Sequence, residues 1–346
     1  MKKKNGKKHT LRNITIISSA ALTVFTAAGW PFFYFMTVAG KKKPQKTTEE
    51  NKKLQKPQSA NKKKWFALQH TTLNHPNNGY AEEYEKGRAW CESREMKDYY
   101  IQSRDGLRLH ASYLPVKNAK RIVILCHGYR ASKFGTVAYP AEFLHDEKCD
   151  ILFIDQRCCG ESEGKIITFG AKEQYDILEW VSHMGAKNEK GLPIYLFGQS
   201  MGAASVLLAA GHKLPADVHG IIADCGYHSM KQQLRDIAAG WFHLKHIGLL
   251  LFRVDIFCRF LGKFSMKETD TTAALQTNRL PVLFFHGELD TYVWPENSKR
   301  NYELCCAEKE LVLVPEARHS CSSYVAPELY KEKLKEFFKK YDKPSA

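Results

Sequence analysis

Pro193-Ile194-Tyr195-Leu196-Phe197-Gly198-Gln199-Ser200-Met201-Gly202, followed by Ala203 to Ala210, reads as three pieces in a row. A short β-branched and aromatic run predicts a strand, Gly-x-Ser-x-Gly a sharp turn, and the small-residue run after it a helix. In such a turn the two glycines leave room where a Cβ would collide, and Ser200 is lifted to the carboxyl edge of a parallel sheet. The motif alone is common, so the rest of the chain has to supply a base, an acid and an oxyanion site.

Composition permits that search. The chain has 346 residues, 44% hydrophobic and 12% aromatic, enough for one large core with an appendage. Its net charge of +15 is concentrated at one end, because residues 1–64 hold fifteen Lys and one Arg against Glu49 and Glu50. The remainder is near neutral, which excludes a basic groove for nucleic acid. The ten cysteines show no paired framework. They read as small buried hydrophobes, with Cys126 and Cys225 at strand ends. Cys158-Cys159 and Cys305-Cys306 are not C-x-x-C patterns, and nothing joins His228, His243 and His246 into a ligand set, so no metal is expected.

Residues 1–13 are a basic head, and Ile14 to Ala39 carry no charge, a length that crosses a bilayer. A signal peptide cut near Thr26-Ala27-Ala28 is the rival reading. It would leave Trp30-Pro31-Phe32-Phe33-Tyr34-Phe35-Met36 as the mature end, so an uncleaved anchor at 14–39 is expected, with the membrane as partner. Lys and Arg flank it about equally. A single N-terminal anchor ordinarily sends the following domain across, giving an extracytoplasmic domain, while unpatterned cysteines favour a reducing compartment. Residues 40–64, rich in Lys, Gln, Asn and Pro, read as a disordered tether.

From residue 65 to 346 a single domain is expected, entered through helices over 65–98. Tyr99 to Ile101 and Leu107 to Leu114, joined by Asp105-Gly106, predict a hairpin. Strands at 121–126, 151–155, 193–197, 220–224, 280–286 and 311–314 alternate with helices near 134–146, 171–186, 201–212, 296–306 and 326–340. That rhythm means a mostly parallel sheet with helices on both faces and ligands at the strands' carboxyl ends. An insertion at about 228–278 interrupts it. Within it Ile247, Leu250, Leu251, Val254, Phe257 and Leu261 share one helical face. The insertion is either a cap lining an acyl pocket or extra helices packed on the core.

Acyl transfer by a serine requires a base, an acid that orients it and two oxyanion donors. Asp290 closes the loop His286-Gly287-Glu288-Leu289-Asp290 after one strand, and His319 follows Pro315-Glu316-Ala317-Arg318 after the next. Asp224, ending an earlier strand, is the alternative acid. His127 reads as a structural residue of the loop after its strand, and Asp155 and Arg157 as a pair within theirs.

With His127-Gly128-Tyr129, Asp155-Gln156-Arg157, Gly160-Glu161-Ser162-Glu163-Gly164, the Ser200 turn, His286-Gly287-x-x-Asp290 and His319 in this order, Tyr99 to Tyr341 resembles the α/β-hydrolase superfamily. Within it the chain is similar to membrane-anchored bacterial hydrolases of the serine aminopeptidase-like and monoacylglycerol lipase-like groups. The resemblance implies an α/β fold with an eight-stranded, mostly parallel sheet and a helical cap. It implies a Ser200, His319, Asp290 triad, oxyanion amides from Tyr129 and Met201, and no cofactor. The tyrosine at 129 resembles that of deacetylases in the superfamily. Cys158-Cys159 depart from the usual small residue and histidine, and the sequence assigns them no role. The expected activity is hydrolysis of carboxylic esters with acyl or lipid-like groups. Peptide-bond cleavage, small-acyl deacetylation and a silent binding module of the same fold remain the alternatives.

Overall fold

The computed structural model of the protein describes residues 29–38, 79–135 and 137–342. Its centre is an eight-stranded sheet: β1 (Lys97–Gln102), β2 (Arg108–Leu114), β3 (Arg121–Cys126), β4 (Cys149–Asp155), β5 (Ile194–Gln199), β6 (Val218–Asp224), β7 (Val282–Gly287) and β8 (Lys309–Val314). The spatial order is β1-β2-β4-β3-β5-β6-β7-β8. β2 pairs antiparallel with β1 and β4, and every other pairing is parallel. All the strands expected from the sequence are present, four beginning two residues earlier and three beginning one or two later.

β3, β4, β5 and β7 are buried along their whole length, the mark of a sheet covered on both faces. Alternate residues of each strand feed opposite layers. Val123, Leu125, Phe197 and Phe285 face Leu144, Phe337 and Phe338, whereas Ile122, Ile124, Leu196 and Phe284 face Trp180, Val206 and Leu207. Each such side chain, fully buried, contributes about 1.5–3 kcal/mol. The edge strand β8 alternates exposure and burial instead.

The helices are α1 (29–37), α2 (Ala81–Glu92), α3 (Ala138–Asp146), α4 (Glu173–Lys187), α5 (Met201–Ala209), α6 (Met230–Phe242), α7 (Gly248–Phe257), α8 (Thr272–Thr277), α9 (Pro295–Leu304), α10 (Ser322–Val325) and α11 (Pro327–Tyr341). The insertion between β6 and β7 forms α6 and α7, a π-helical turn (Cys258–Gly262), a 3-10 turn (Met266–Thr269) and α8. The single helical face expected over 241–264 is divided. α6 stops at His243, which is left-handed with φ 54°, and α7 starts five residues on. Leu251 and Val254 are buried as expected, but Leu261 is exposed.

The N-terminal segment differs most from expectation. Residues 14–28, the greater part of the expected span, and 40–64 lie outside the described residues, as do 65–78. Among the described residues no helix is long and apolar enough to cross a membrane. Residues 29–38 are instead packed on the domain. Phe33 is buried in the cap's apolar cluster, Trp30 meets the Phe257 ring edge-on at 5.7 Å, and Val38 bridges to Ile166. The Ile167 amide donates to the Thr37 carbonyl at 2.8 Å.

Candidate active site

Ser200 stands between β5 and α5 with φ 56° and ψ −118°, a backbone conformation that non-glycine residues adopt only under strain. The turn is possible because its flanks lack side chains. A Cβ on Gly198 would fall 2.2 Å from the Gly202 carbonyl oxygen, and one on Gly202 2.1 Å from that of Cys126. The Ser200 amide donates to the Asp224 carbonyl at 2.8 Å, tying the turn to β6.

Three residues far apart in the chain meet here. His319 Nε2 lies 2.9 Å from Ser200 Oγ, and His319 Nδ1 lies 2.7 Å from Asp290 Oδ2. A neutral imidazole with its proton on Nδ1 satisfies both bonds: it donates to the carboxylate and accepts from the hydroxyl. Asp290 Oδ1 accepts the Tyr292 and Val293 amides, each at 2.9 Å. Burial alone would raise the Asp290 carboxyl, but His319 and His286 outweigh it and hold it below the usual carboxylate range. Asp290 is therefore charged in its buried place, as an orienting acid has to be.

The alternative acid is elsewhere engaged. Asp224 accepts from Gln199 Nε2 and the Tyr330 hydroxyl, each at 3.1 Å, and burial raises its carboxyl. Its contacts support the turn from below and do not reach the imidazole.

The expected oxyanion donors flank the serine. Met201 is the first residue of α5, where a helix start leaves amides without intrahelical partners. Gly128 lies against Ser200, a Cβ there being 3.4 Å from the Ser200 Cβ, so the loop carrying Tyr129 borders the serine. His127 holds that loop. Its Nδ1 donates to the Gly128 carbonyl at 2.8 Å, its Nε2 accepts the Gln156 amide at 3.1 Å, and burial lowers its pKa, keeping the ring neutral.

One expected pairing is corrected. Asp155 does not pair with Arg157; it bonds His110 Nδ1 at 2.7 Å and the Glu161 amide at 3.0 Å. Arg157 turns the other way, with two bonds to Asp176 of α4 at 2.6 and 2.7 Å and two to Asp105 of the hairpin turn at 3.0 and 3.1 Å. The planar guanidinium spans two carboxylates that a within-loop pair could not reach. Cys158 is left-handed with φ 69° and donates its amide to the Glu163 carbonyl, so Cys158-Cys159 form part of this tight turn.

Above Ser200 is an apolar cavity of about 20 Å³, room for a single water. Its walls include Phe169, Tyr227, Leu234 and Ile237 from the domain and cap, and Met36 from α1. α1 is clamped over it from the oxyanion loop. The Tyr129 hydroxyl donates to the Met36 carbonyl at 2.6 Å, and Arg130 donates to the Phe35 and Val38 carbonyls at 2.7 and 2.8 Å. These bonds hold carbonyls in the last turn of α1 and that of Val38 just beyond it. A larger, open hollow of about 670 Å³ lies between Trp241 and Trp294 outside the Asp290 loop, and Ser200 does not line it.

Met36, His286 and Tyr292 were not expected at the site. Tyr292 meets the His319 ring edge-on at 4.9 Å. His286 donates from Nε2 to the Val293 carbonyl at 2.8 Å with Asp290 Oδ2 only 3.2 Å away, bracing the acid loop. Among the described residues Cys225, Asp290 and His319 come within 4.8 Å of one another. Burial pushes the Cys225 thiol well above its ordinary pKa and its Sγ lies 3.4 Å from Ser320 Oγ, while Asp290 and His319 are bonded to each other.

The strand order, the strained serine turn and the joined Ser200, His319 and Asp290 are those of the α/β-hydrolase fold. Residues 117–250 match the family described as serine aminopeptidase, S33. The uncharacterized protein YqkD of Bacillus subtilis (strain 168) is 28% identical over 247 residues, 71% of this chain and 80% of its own. Among solved structures, the esterase Pf2001 of Pyrococcus furiosus superposes with a TM-score of 0.58 at 24% identity, covering 72% of this chain and 94% of the other. Est1E of Butyrivibrio proteoclasticus, bound to ferulic acid, gives 0.54 at 22%, covering 70% and 98%. These likenesses concern the fold.

Proposed function

We propose that the protein is a serine hydrolase that cleaves carboxylic esters through an acyl-enzyme and is attached to a membrane by its N-terminal apolar run. The observation that carries this is the relay from Ser200 through His319 to Asp290, opening on an apolar cavity. Ser200 Oγ attacks the ester carbonyl while His319 Nε2 takes its proton, and Asp290 stabilises the imidazolium that forms. The oxyanion is met by the amides of Tyr129 and Met201. His319 then protonates the departing alkoxide and activates the water that releases the acid. Apolar walls suit the acyl side of an ester better than a charged peptide end.

A fluorophosphonate probe labels the unaltered protein and not Ser200→Ala. Hydrolysis of p-nitrophenyl esters by that variant falls by at least about 10⁴-fold. Equal labelling of both proteins would end this reading. Peptide-bond cleavage is the second reading, favoured by the serine aminopeptidase match over 117–250. Turnover of aminoacyl anilides above that of any ester would establish it.

A further inference from the structure

Among the described residues, eleven large hydrophobic side chains are exposed, and nine of them lie within residues 30–35 and 242–261. The two segments touch: Trp30 packs on Phe257, and a Cβ on Gly29 would stand 2.9 Å from that of Arg253. α7 is apolar on both sides. Leu251 and Val254 face the core, while Leu249 and Phe252 are 63% and 59% exposed, and Phe260, two turns on, is 72% exposed. A surface helix normally turns a polar face outward, and an outward apolar face on this scale is a contact surface.

We propose that this outer face of the cap beds into the interface of an anionic lipid bilayer. Two observations select the bilayer as occupant. The first is the chain that leads there. Residues 14–28 carry no charge, and they enter α1 at Gly29, against α7. With 29–38 held on the domain, the apolar run that precedes them is fifteen uncharged residues, short of the roughly 20 that cross a bilayer. The second is charge. Lys245, Arg259 and Lys263 are exposed around the patch, where Asp255 is the one acidic residue between 242 and 263 and is bonded to Arg259 at 2.8 Å. Aromatic and leucine side chains rimmed by cations match an interface bearing anionic headgroups. An ester reaching Ser200 past α1 then comes from the lipid phase, an extension that rests on the ester-hydrolase reading.

The test uses the full chain with Cys306, the exposed cysteine, replaced by serine. A polarity-sensitive dye is placed at Phe260→Cys or, as control, at Tyr100→Cys on the edge strand β1. Vesicles of equal parts phosphatidylcholine and phosphatidylglycerol are added, with and without nitroxide-labelled lipid. The dye at 260 shifts to the blue and is quenched by the nitroxide, and the dye at 100 does neither. A water-like dye at 260 on vesicle-bound protein overturns the proposal. So does a blue emission before vesicles are added, which would assign the face to residues 14–28 or to a second copy. In a second measurement Phe252→Gln with Phe260→Gln leaves hydrolysis of a water-soluble acetyl ester unchanged. The same variant lowers hydrolysis of a vesicle-embedded long-chain ester by at least about tenfold; equal rates on the embedded ester count against the surface. If the unaltered protein cleaves neither ester, the hydrolase reading fails by itself, since the dye measurement requires no turnover.

Discussion

At Ser200 and Gly202, two residues apart, the same tight turn makes opposite demands. Ser200 holds a left-handed φ that its Cβ opposes, so Ser200→Gly stabilises the fold by about 1 kcal/mol while abolishing activity. Gly202→Ala drives a Cβ into the Cys126 carbonyl and costs about 2 kcal/mol or more. Thermal melts of the two variants therefore shift in opposite directions, and parallel shifts would contradict this account of the turn. The meeting of Ser200, His319 and Asp290 was legible in the sequence because each sits in a short local pattern at a strand end: Gly-x-Ser-x-Gly, His-Gly-x-x-Asp, and a histidine after the last strand. Tyr292 and His286 belong to those same loops, yet nothing local marks a tyrosine as the neighbour of an imidazole in another loop. Their roles come from the packing of one loop on another.

Among the elements, α1 changes the reading of the chain most. An apolar run without charges reads as a span by length and composition, and composition does not say which end of the run folds back. Tyr129 and Arg130 decide that, by holding carbonyls at the end of α1 from 92 or more residues away. Met36 consequently forms a wall above Ser200. Met36→Ala raises kcat/KM for hexanoyl over acetyl p-nitrophenyl esters by about five- to tenfold, read from parallel progress curves. An unchanged ratio would remove α1 from the substrate path. Removal of residues 1–64 takes the same wall away and alters chain-length preference in the same direction. The cap shows a related limit of periodicity. The inward stripe of α7 was visible at helical spacing, but the break at His243 and the apolar outer face follow from how the insertion lies on the domain.

For the whole molecule, several carboxylates tie distant elements together. Burial would raise the carboxyls of Asp98, Asp105, Asp155 and Asp290, but bonds to Ser112, Arg157, His110 and His319 in turn outweigh it and depress all four. A depressed folded pKa gives stability that is complete above the ordinary value of 3.8 and lost as pH falls below it. Asp176, raised by burial to about 6, and Asp224 and Asp236, also raised by burial, act in the opposite sense, being favoured when protonated. Below 3.8 the raised groups are protonated in both states and add no further change, so the loss from the four depressed groups is unopposed and the melting temperature declines as pH falls from about 3.8 to about 2. A midpoint independent of pH over that range would show that these ties contribute nothing. The sequence by itself determined the sheet, the order of its helices and the two residues joined to the serine, because strand periodicity, turn glycines and strand-end motifs are encoded within a few neighbouring positions. Only the tertiary structure decided that Arg157 reaches Asp105 and Asp176, that α1 roofs the site, and that α7 keeps an apolar face outward. Each of these depends on which distant surfaces meet, and contacts across dozens of residues leave no local pattern to read.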